Sequence, residues 1–313
     1  MTTLGGVARG LGGLVGLGVA GVAYAGLVER NWFALRSATL PVLPPGSAPV
    51  RVLQVSDLHL VPRQRRKIEW VRELASLTPD FVVNSGDNLA AVDAVPALLR
   101  AMEPLMQFPG AFVLGSNDRY GPVPKNPARY LTRHYARAPR RERVDLPVGE
   151  LVSGLRAGGW ADLDNARTTV TMGEHRVELV GVDDPHIQRD RYAAVSAPAA
   201  SDVALTMGLV HAPYQRVLDA MVTDGADLVL AGHTHGGQLA VPGVGALVTN
   251  CDLDRGRAKG VSKWWPGAGS EVGRPAPEGA AYLHVSAGLG TSPFAPVRFA
   301  CRPEATLLTL VGR

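Results

Sequence analysis

Short apolar runs alternate with amphipathic stretches through the first part of the chain. Residues 50–56 and 81–84 are compact runs of β-forming residues, and between them residues 67–77 repeat apolar side chains at helical spacing. A second helical stretch at 92–106 leads into a third short strand at 111–114. Strands that alternate with helices predict a parallel sheet with crossover helices, and therefore an α/β fold.

The second half of the chain is richer in strands. Residues 168–172 and 177–182 flank Gly173-Glu174 and predict a β-hairpin. Residues 261–279, rich in glycine and proline, are expected to form an ordered loop. One helix at 214–221 lies among strands that complete a second β-rich layer, expected at 204–210, 228–231, 239–248, 281–286 and 305–311.

The N-terminus carries a long uncharged stretch. Residues 10–28 contain no charged side chain, and about 18 to 20 apolar residues are enough to span a bilayer as a helix. We therefore expect residues 1–30 to form a single-pass transmembrane helix that anchors the protein in the cell membrane. Two alternatives stay open: a cleaved export signal, with a peptidase site near residues 23–25, or a glycine-rich surface helix of a soluble protein. Flanking arginines nearly balance, so the orientation stays open as well.

Two segments differ in composition from a folded α/β body. Residues 31–49 contain adjacent prolines, which favour a stiff extended chain, so we interpret them as a spacer before a domain at 50–313. Residues 119–150 are rich in proline and arginine and lack a continuous apolar face. We interpret them as a basic insertion that forms either a solvated surface or a contact with anionic lipid or substrate.

The charge balance and the cysteines narrow the classes of partner. A formal charge of +4 and a pI near 9.3 favour anionic partners such as phosphate groups or acidic lipids. The basic residues form no stripe interleaved with aromatics and no recognisable binding module, so no nucleic-acid partner is expected. Cys251 and Cys301 have no CxxC arrangement, which argues against a thiolate zinc site; they form either one bridge or two thiols.

Residues able to ligate metals follow five of the predicted strands. Glycines beside them allow sharp turns close to a metal. Ligands in open α/β sheets bind outside the carboxyl ends of the strands, so these loops are expected to converge. The motifs are Ser56-Asp57-Leu58-His59, Gly86-Asp87-Asn88, Gly115-Ser116-Asn117-Asp118, His211 and Gly232-His233-Thr234-His235.

This set of side chains suits a particular chemistry. Imidazole and carboxylate groups are good ligands for divalent metals such as zinc, manganese and iron. Two such ions about 3.5 to 4 Å apart bridge a water, lower its pKa and neutralise phosphoryl oxygens. One carboxylate must then touch both ions, and Asp87 is placed to do so. The residues therefore predict two divalent metal ions and the hydrolysis of a phosphorylated substrate.

The motif series resembles that of the calcineurin-like metallophosphoesterase superfamily, from about residue 50 to the C-terminus. Asp-x-His, Gly-Asp, an altered Gly-Asn-His-Asp, His and Gly-His-x-His follow in the family's order. The run Gly-His-Thr-His-Gly-Gly-Gln at 232–238, together with the apolar N-terminus, looks like the membrane-associated bacterial branch. The resemblance implies a two-sheet β-sandwich core flanked by helices, and a metal-bridging hydroxide as the nucleophile.

The resemblance also implies a role for each matching residue. Six positions match the family pattern without adjustment, and Asn117 completes the expected site. Asp87, Asn117 and His211 are expected to act in catalysis. One metal would be held by Asp57, His59 and His235, the second by His211, His233 and Asn117, with Asp87 between the two.

The third motif departs from the family pattern. In strict register Ser116 replaces the metal-binding Asn, and Asn117 replaces the His that assists the leaving group; by chemistry Asn117 is the better ligand. The acid that orients this His in many members is Ala90 here, so both halves of the assisting dyad are absent. Either Asp118 or Asp93 substitutes, or the leaving group needs little protonation, as with a phosphoanhydride or an aryl ester.

The predicted function is metal-dependent hydrolysis of phosphate esters or anhydrides. One alternative is a pyrophosphatase acting on a lipid-linked nucleotide, as in relatives that cleave UDP-diacylglucosamine. Another is a non-catalytic scaffold, which the altered third motif allows. A further cluster of Asp183, Asp184 and His186 around Pro185 is interpreted as a turn rather than as metal ligands.

Overall fold

Two six-stranded mixed sheets form the body of the protein, whose computed structural model describes residues 18–124 and 144–313. The first sheet contains β1 (Ala34–Leu43), β2 (Val50–Val55), β3 (Phe81–Asn84), β4 (Gly110–Phe112), β5 (Ala161–Asp162) and β14 (Glu304–Gly312). Its order is β1-β14-β2-β3-β4-β5. Strands β2 to β5 are parallel, whereas β14 is antiparallel to β2 and parallel to β1.

The second sheet is built by the later part of the chain. It contains β6 (Ala166–Met172), β7 (His175–Gly181), β8 (Leu205–Val210), β9 (Leu228–Ala231), β12 (Gly260–Trp264) and β13 (Ala281–Val285). Its order is β12-β13-β9-β8-β7-β6, with parallel strands in the middle and an antiparallel strand at each edge. A separate small hairpin joins β10 (Ala240–Val241) to β11 (Gly245–Ala246).

The two sheets pack face to face. Phe81 and Val83 of the first sheet belong to the same buried cluster as Leu179, Leu209 and Leu230 of the second. Each of these side chains is almost fully removed from water, which contributes about 1.5 to 3 kcal/mol per residue relative to exposure. The central strands read as near-continuous apolar runs because they are covered on both faces.

Helices cover the outer faces. On the first sheet α1 (Arg65–Glu73), α2 (Val95–Met102) and α4 (Val148–Ala157) bury one apolar stripe each, and α5 (Gln215–Thr223) does the same on the second. A single turn, α3 (Ser116–Arg119), follows β4. This is an α/β fold with two mixed sheets flanked by helices, as the sequence predicted.

Three local expectations were wrong. The proline-rich segment interpreted as a spacer contains β1, whose ten residues pair with β14, so the folded body begins before residue 50. Proline is tolerated there because β1 is an edge strand, with its second side free of ladder partners among the described residues. The loop expected at 261–279 contains most of β12, and the strand expected at 239–248 is the two-residue hairpin β10–β11.

The structure describes only parts of the predicted membrane anchor and of the predicted basic insertion. Residues 18–31 are helical and finish in a π turn, Tyr24–Val28, and a 3-10 turn, Glu29–Asn31. Within residues 18–124 and 144–313 no helix is both long and apolar enough to cross a bilayer. Most of the predicted basic insertion, 125–143, and the first part of the predicted anchor, 1–17, lie outside the described residues.

Candidate metal centre

The loops that carry the predicted ligands converge at one edge of the molecule. In the first sheet β2 and β3 are adjacent and parallel, and in the second sheet so are β8 and β9. Because neighbouring parallel strands end on the same side, their C-terminal loops meet. The structure brings together all six residues that matched the family pattern, in two groups: Asp57, His59 and His235 in one, and Asp87, His211 and His233 in the other.

The first group is compact and buried. Its three candidate ligand atoms lie within 4.8 Å of one another. The Nε2 atoms of His59 and His235 face each other at 3.1 Å, and Nε2 of His235 lies 3.4 Å from Oδ1 of Asp57. Two imidazole nitrogens and a carboxylate oxygen aimed at a common point form a site that suits a divalent cation.

The second group shares a carboxylate with the first. Oδ2 of Asp87 lies 3.4 Å from Nε2 of His211 and 3.5 Å from Nε2 of His59. His233 completes this group, and its candidate ligand atom lies within 4.8 Å of the other two. Asp87 therefore stands between the two groups, which is the position required of a carboxylate that touches two ions.

Asn117, rather than Ser116, is the residue of the altered motif that reaches this centre. The backbone N–H of Asn117 donates to Oδ1 of Asp87, and its side-chain amide donates to Oδ2, each at 2.7 Å. The hydroxyl of Ser116 instead lies 3.4 Å from the amide nitrogen of Asn117. Asn117 is therefore the residue of the altered motif that contacts the carboxylate between the two groups.

The residues present fit a pair of divalent ions. Nε2 of His211 is buried, lies 3.4 Å from Oδ2 of Asp87 and makes no hydrogen bond within residues 18–124 and 144–313. An orphaned buried ring nitrogen is costly unless a proton donor or a metal satisfies it. The other nitrogen of His211 lies 2.7 Å from the carbonyl of Ser85, and that of His235 lies 3.2 Å from the carbonyl of Gly290. Such outer contacts orient imidazole ligands.

Burial keeps three of the histidines, His59, His233 and His235, in the neutral form that binds a metal. It lowers the pKa of His59 to about 4 and, together with neighbouring cationic and imidazole groups, lowers the pKa of His233 and His235 well below its usual range. These imidazoles are therefore neutral near pH 7, with lone pairs available. Burial opposes charge on Asp87 as well, but His211 outweighs it and holds the pKa of Asp87 well below its usual value.

The backbone of the ligand loops is strained. Five of the seven candidate residues have positive φ, a region that residues other than glycine rarely adopt. Such conformations persist where the surroundings enforce them, and they cluster at functional sites. The φ angles are 49° for Asp57, 41° for His59, 56° for Asp87, 70° for His233 and 51° for His235.

Asp118 ties two of these loops together. Its fully buried carboxylate accepts backbone hydrogen bonds from Asp87 at 2.8 Å, Asn88 at 2.7 Å and Gly115 at 2.9 Å. With these donors occupying it, Asp118 positions the loops after β3 and β4 and is not placed as a substitute acid for the leaving group. Asp93, the other candidate, is exposed in the turn before α2.

His186, which the sequence analysis interpreted as part of a turn, is also a neighbour of the second group. The segment after β7 does form a turn, with Asp184 accepting from the backbone N–H of His186 at 2.8 Å. However, the ring of His186 lies 4.5 Å from that of His233, centroid to centroid, and its Nδ1 lies 3.1 Å from the hydroxyl of Tyr214. Strand β7 is parallel to β8, so extending the strand-end rule to β7 would have placed His186 near the metal centre.

Two His/Asp groups that share one carboxylate, at the edge of a two-sheet fold, are the arrangement of a metal-dependent phosphoesterase. Comparison of the sequence with protein families narrows this class. The profile of the calcineurin-like phosphoesterase family matches residues 50–237, more than half of the chain. The protein belongs to this family, which confirms the superfamily that the motifs indicated and makes the chain a phosphoester hydrolase with the residues of a dinuclear metal site.

Known relatives cover nearly the whole chain. Phosphodiesterase YaeI of Escherichia coli (strain K12) is 26% identical over 93% of this chain and 93% of its own. The uncharacterized metallophosphoesterase YkuE of Bacillus subtilis (strain 168) is 25% identical over 93% of this chain and 90% of its own. Among solved structures, TT1561 of Thermus thermophilus is similar with 14% identity and a TM-score of 0.39, over 77% of this chain and 91% of that chain.

Proposed function

We propose that this phosphoesterase acts on phosphodiesters or phosphoanhydrides whose leaving group is already stable as an anion, and that its N-terminal segment attaches it to a membrane. The observation that carries the first part is the contact between Asn117 and Asp87. In the register of the family motif, this amide replaces the histidine that assists the leaving group, and it donates to Asp87 instead. The relative named as a phosphodiesterase supports the phosphodiester part of this proposal.

The chain's own residues prepare the site for this chemistry. Asp57, His59 and His235 would hold one ion and His211 and His233 the other, with Asp87 between them. When bound, the two ions would activate a water and neutralise the phosphoryl oxygens. The carbonyl of Ser85 orients His211 so that its Nε2 faces Asp87. Asp118 keeps the loop of Asp87 in register with the loop of Asn117.

The leaving group receives little help from protonation in this site. Asn117 has no proton to transfer at neutral pH, and Ala90 offers no polar group at all. The carboxylate of Asp118 is committed to three backbone N–H groups. Charge that develops on the leaving oxygen must therefore be carried by the leaving group itself.

A series of aryl phosphodiesters tests this proposal. The protein is loaded with manganese, zinc or iron, its metal content is measured, and kcat/KM is recorded for leaving groups of increasing pKa. We expect two ions per chain and a steep fall in kcat/KM as the leaving-group pKa rises. An Asn117→His variant should flatten this slope. A flat slope for the unaltered protein would refute the proposed leaving-group class, and absence of both metal and turnover would favour a scaffold.

Membrane attachment is supported by the uncharged run at 10–28 and by the exposure of Val22 and Leu27 in its described part. Exposed apolar side chains that cluster into one patch mark sites that contact another protein or a membrane. Fractionation of cells that express the full chain tests this. We expect the protein in the membrane fraction after alkaline extraction, with its N-terminus intact. A soluble protein that begins after residue 25 would indicate a cleaved export signal instead.

A further inference from the structure

An exposed apolar surface lies next to the metal centre. Three segments form it: the helical segment 18–31, the loop 294–299, and the β10–β11 hairpin with its flanks at 239–247. Apolar patches of this kind mark sites that bind a protein or a membrane. The members of this surface, here called the apolar face, are between 40% and 72% exposed: Val19, Val22, Leu27, Leu239, Val241, Val244, Phe294 and Phe299.

The three segments of the apolar face meet at Phe299. Its ring packs edge-to-face against Tyr24 of the helical segment, with centroids 6.4 Å apart. Its carbonyl accepts from the backbone N–H of Ala240 in the hairpin at 2.9 Å. The side chain of Gln238 donates to the carbonyl of Ala295 at 2.8 Å, which fixes the loop to the base of the hairpin. The face is therefore one continuous part of the domain.

Buried polar contacts hold this face against the metal loops. The carboxylate of Glu29, 3% exposed, accepts from the backbone N–H groups of residues 300 and 301 at 3.1 and 2.6 Å. The backbone N–H of Arg298 donates to the carbonyl of Ala25 at 3.1 Å. The guanidinium of Arg298, fully buried, lies 3.4 Å from Nδ1 of His235. The end of the helical segment is thus joined to a candidate metal ligand through one side chain.

A depression of about 420 Å³ runs between the hairpin and the loop that carries Lys259. Ala240 and Val241 line its apolar side, and Arg255 and Lys259 place two exposed cations at its rim. Gly236, adjacent to His235, also lines it, so the depression opens beside the metal centre. Apolar walls with cations at the rim suit an amphiphile that carries an anionic head group.

The chain itself indicates what covers the apolar face. Its uncharged run at 10–28 overlaps the helical segment of the face, so a membrane that takes up this run must also lie against the face. We infer that the apolar face lies in the interfacial layer of a lipid bilayer and presents the metal centre to phosphorylated lipids. This inference rests on the proposed function and narrows its substrate to an amphiphile whose phosphate lies at head-group level.

Two matched substrates test this inference with the full chain. One is a soluble bis-aryl phosphodiester; the other is an aryl phosphodiester of diacylglycerol carried in vesicles of phosphatidylcholine and phosphatidylglycerol. Leu27→Asp and Phe294→Asp place a charge on the apolar face, and Val92→Asp places one on an exposed valine before α2, outside this face. Flotation of each metal-free variant with the same vesicles gives a readout that does not depend on turnover.

We expect both face variants to lose about tenfold in turnover of the vesicle substrate and to float less, since each charge opposes partition of a large apolar side chain. Their turnover of the soluble diester should stay within about twofold of the unaltered protein, as should both activities of Val92→Asp. Equal turnover of the vesicle substrate in all variants would overturn the inference and leave the proposed function intact.

If the lipid-free protein were a dimer that the face variants convert to a monomer, the face would instead bind a second copy of the chain. If the unaltered, metal-loaded protein did not turn over the soluble diester, the proposed function itself would be overturned.

Discussion

A single methyl group at Gly115 should disable the metal centre. Gly115 has a φ of −108°, so alanine is not excluded by the backbone. The obstacle is space: a Cβ on Gly115 would lie 2.7 Å from Nε2 of His211 and closer still to Oδ1 of Asp87. Ordinary contacts to carbon need about 3.5 Å, so these two side chains would have to move by about 1 Å. Both are buried, and Asp87 is held by the N–H of Asn117.

A displacement of about 1 Å in a reacting site typically costs about 100-fold in rate. We expect Gly115→Ala to lose metal from the second group and to lower kcat/KM for an aryl phosphodiester by about that factor. Gly149→Ala in α4 is the matched control, because a Cβ there meets nothing within 4 Å. That change should keep full activity and raise stability by up to about 1 kcal/mol.

Mass-spectrometric metal analysis after manganese loading, with kcat/KM on the same samples, provides the measurement. Thermal unfolding in chelator separates a folding defect from a loss of metal. If Gly115→Ala bound two ions per chain and turned over substrate like the unaltered protein, the close packing of Gly115, Asp87 and His211 would be refuted.

Buried contacts support three further predictions. Asn117→Ala should lower metal occupancy and reduce kcat/KM by about 10 to 100-fold, whereas Ser116→Ala should change both little; comparable losses would reverse the assignment between the two residues. Asp118→Asn should destabilise the metal-free protein by about 3 kcal/mol in urea unfolding, because an amide group would face backbone donors; an unchanged midpoint would contradict this role. Burial lowers the pKa of His284 from 6.5 to about 4, so the unfolded chain binds more protons between these values and stability falls as the pH drops through this window, by about 3 kcal/mol in total. His59, His233 and His235 also have lowered pKa values and add to the loss, so His284→Asn should reduce the fall in stability between pH 7 and 4 by about 3 kcal/mol in urea titrations without abolishing it. An equally steep loss in the variant would exclude a contribution from His284.

Much of the fold could be predicted because local pattern and tertiary environment agree. Strand β3, helix α5 and the hairpin β6–β7 lie within two or three residues of their expected positions. Short apolar runs bounded by glycine and polar residues form buried strands when both faces of the sheet are covered. The prediction failed at β1, where adjacent prolines resemble a spacer, yet the segment supplies an edge strand. Edge pairing is a long-range contact, and no local pattern reports it.

The candidate site was predictable in identity but not in geometry. Motif order alone singled out the six His and Asp residues of the two groups, since ligand types and strand-end positions are written in the chain. Whether Ser116 or Asn117 reaches Asp87 depended on the turn that follows β4. The approach of His186 to His233 depended on the order of β7, β8 and β9.

The sequence by itself determined which side chains are available for phosphoester chemistry and which strands carry them, because composition and periodicity act locally. The tertiary structure decided that one oxygen of Asp87 stands between two imidazole groups, and that the helical segment is fixed beside them through Glu29 and Arg298. Some of these contacts join residues 272 positions apart in the sequence, and only the packing of the two sheets brings such residues within contact distance.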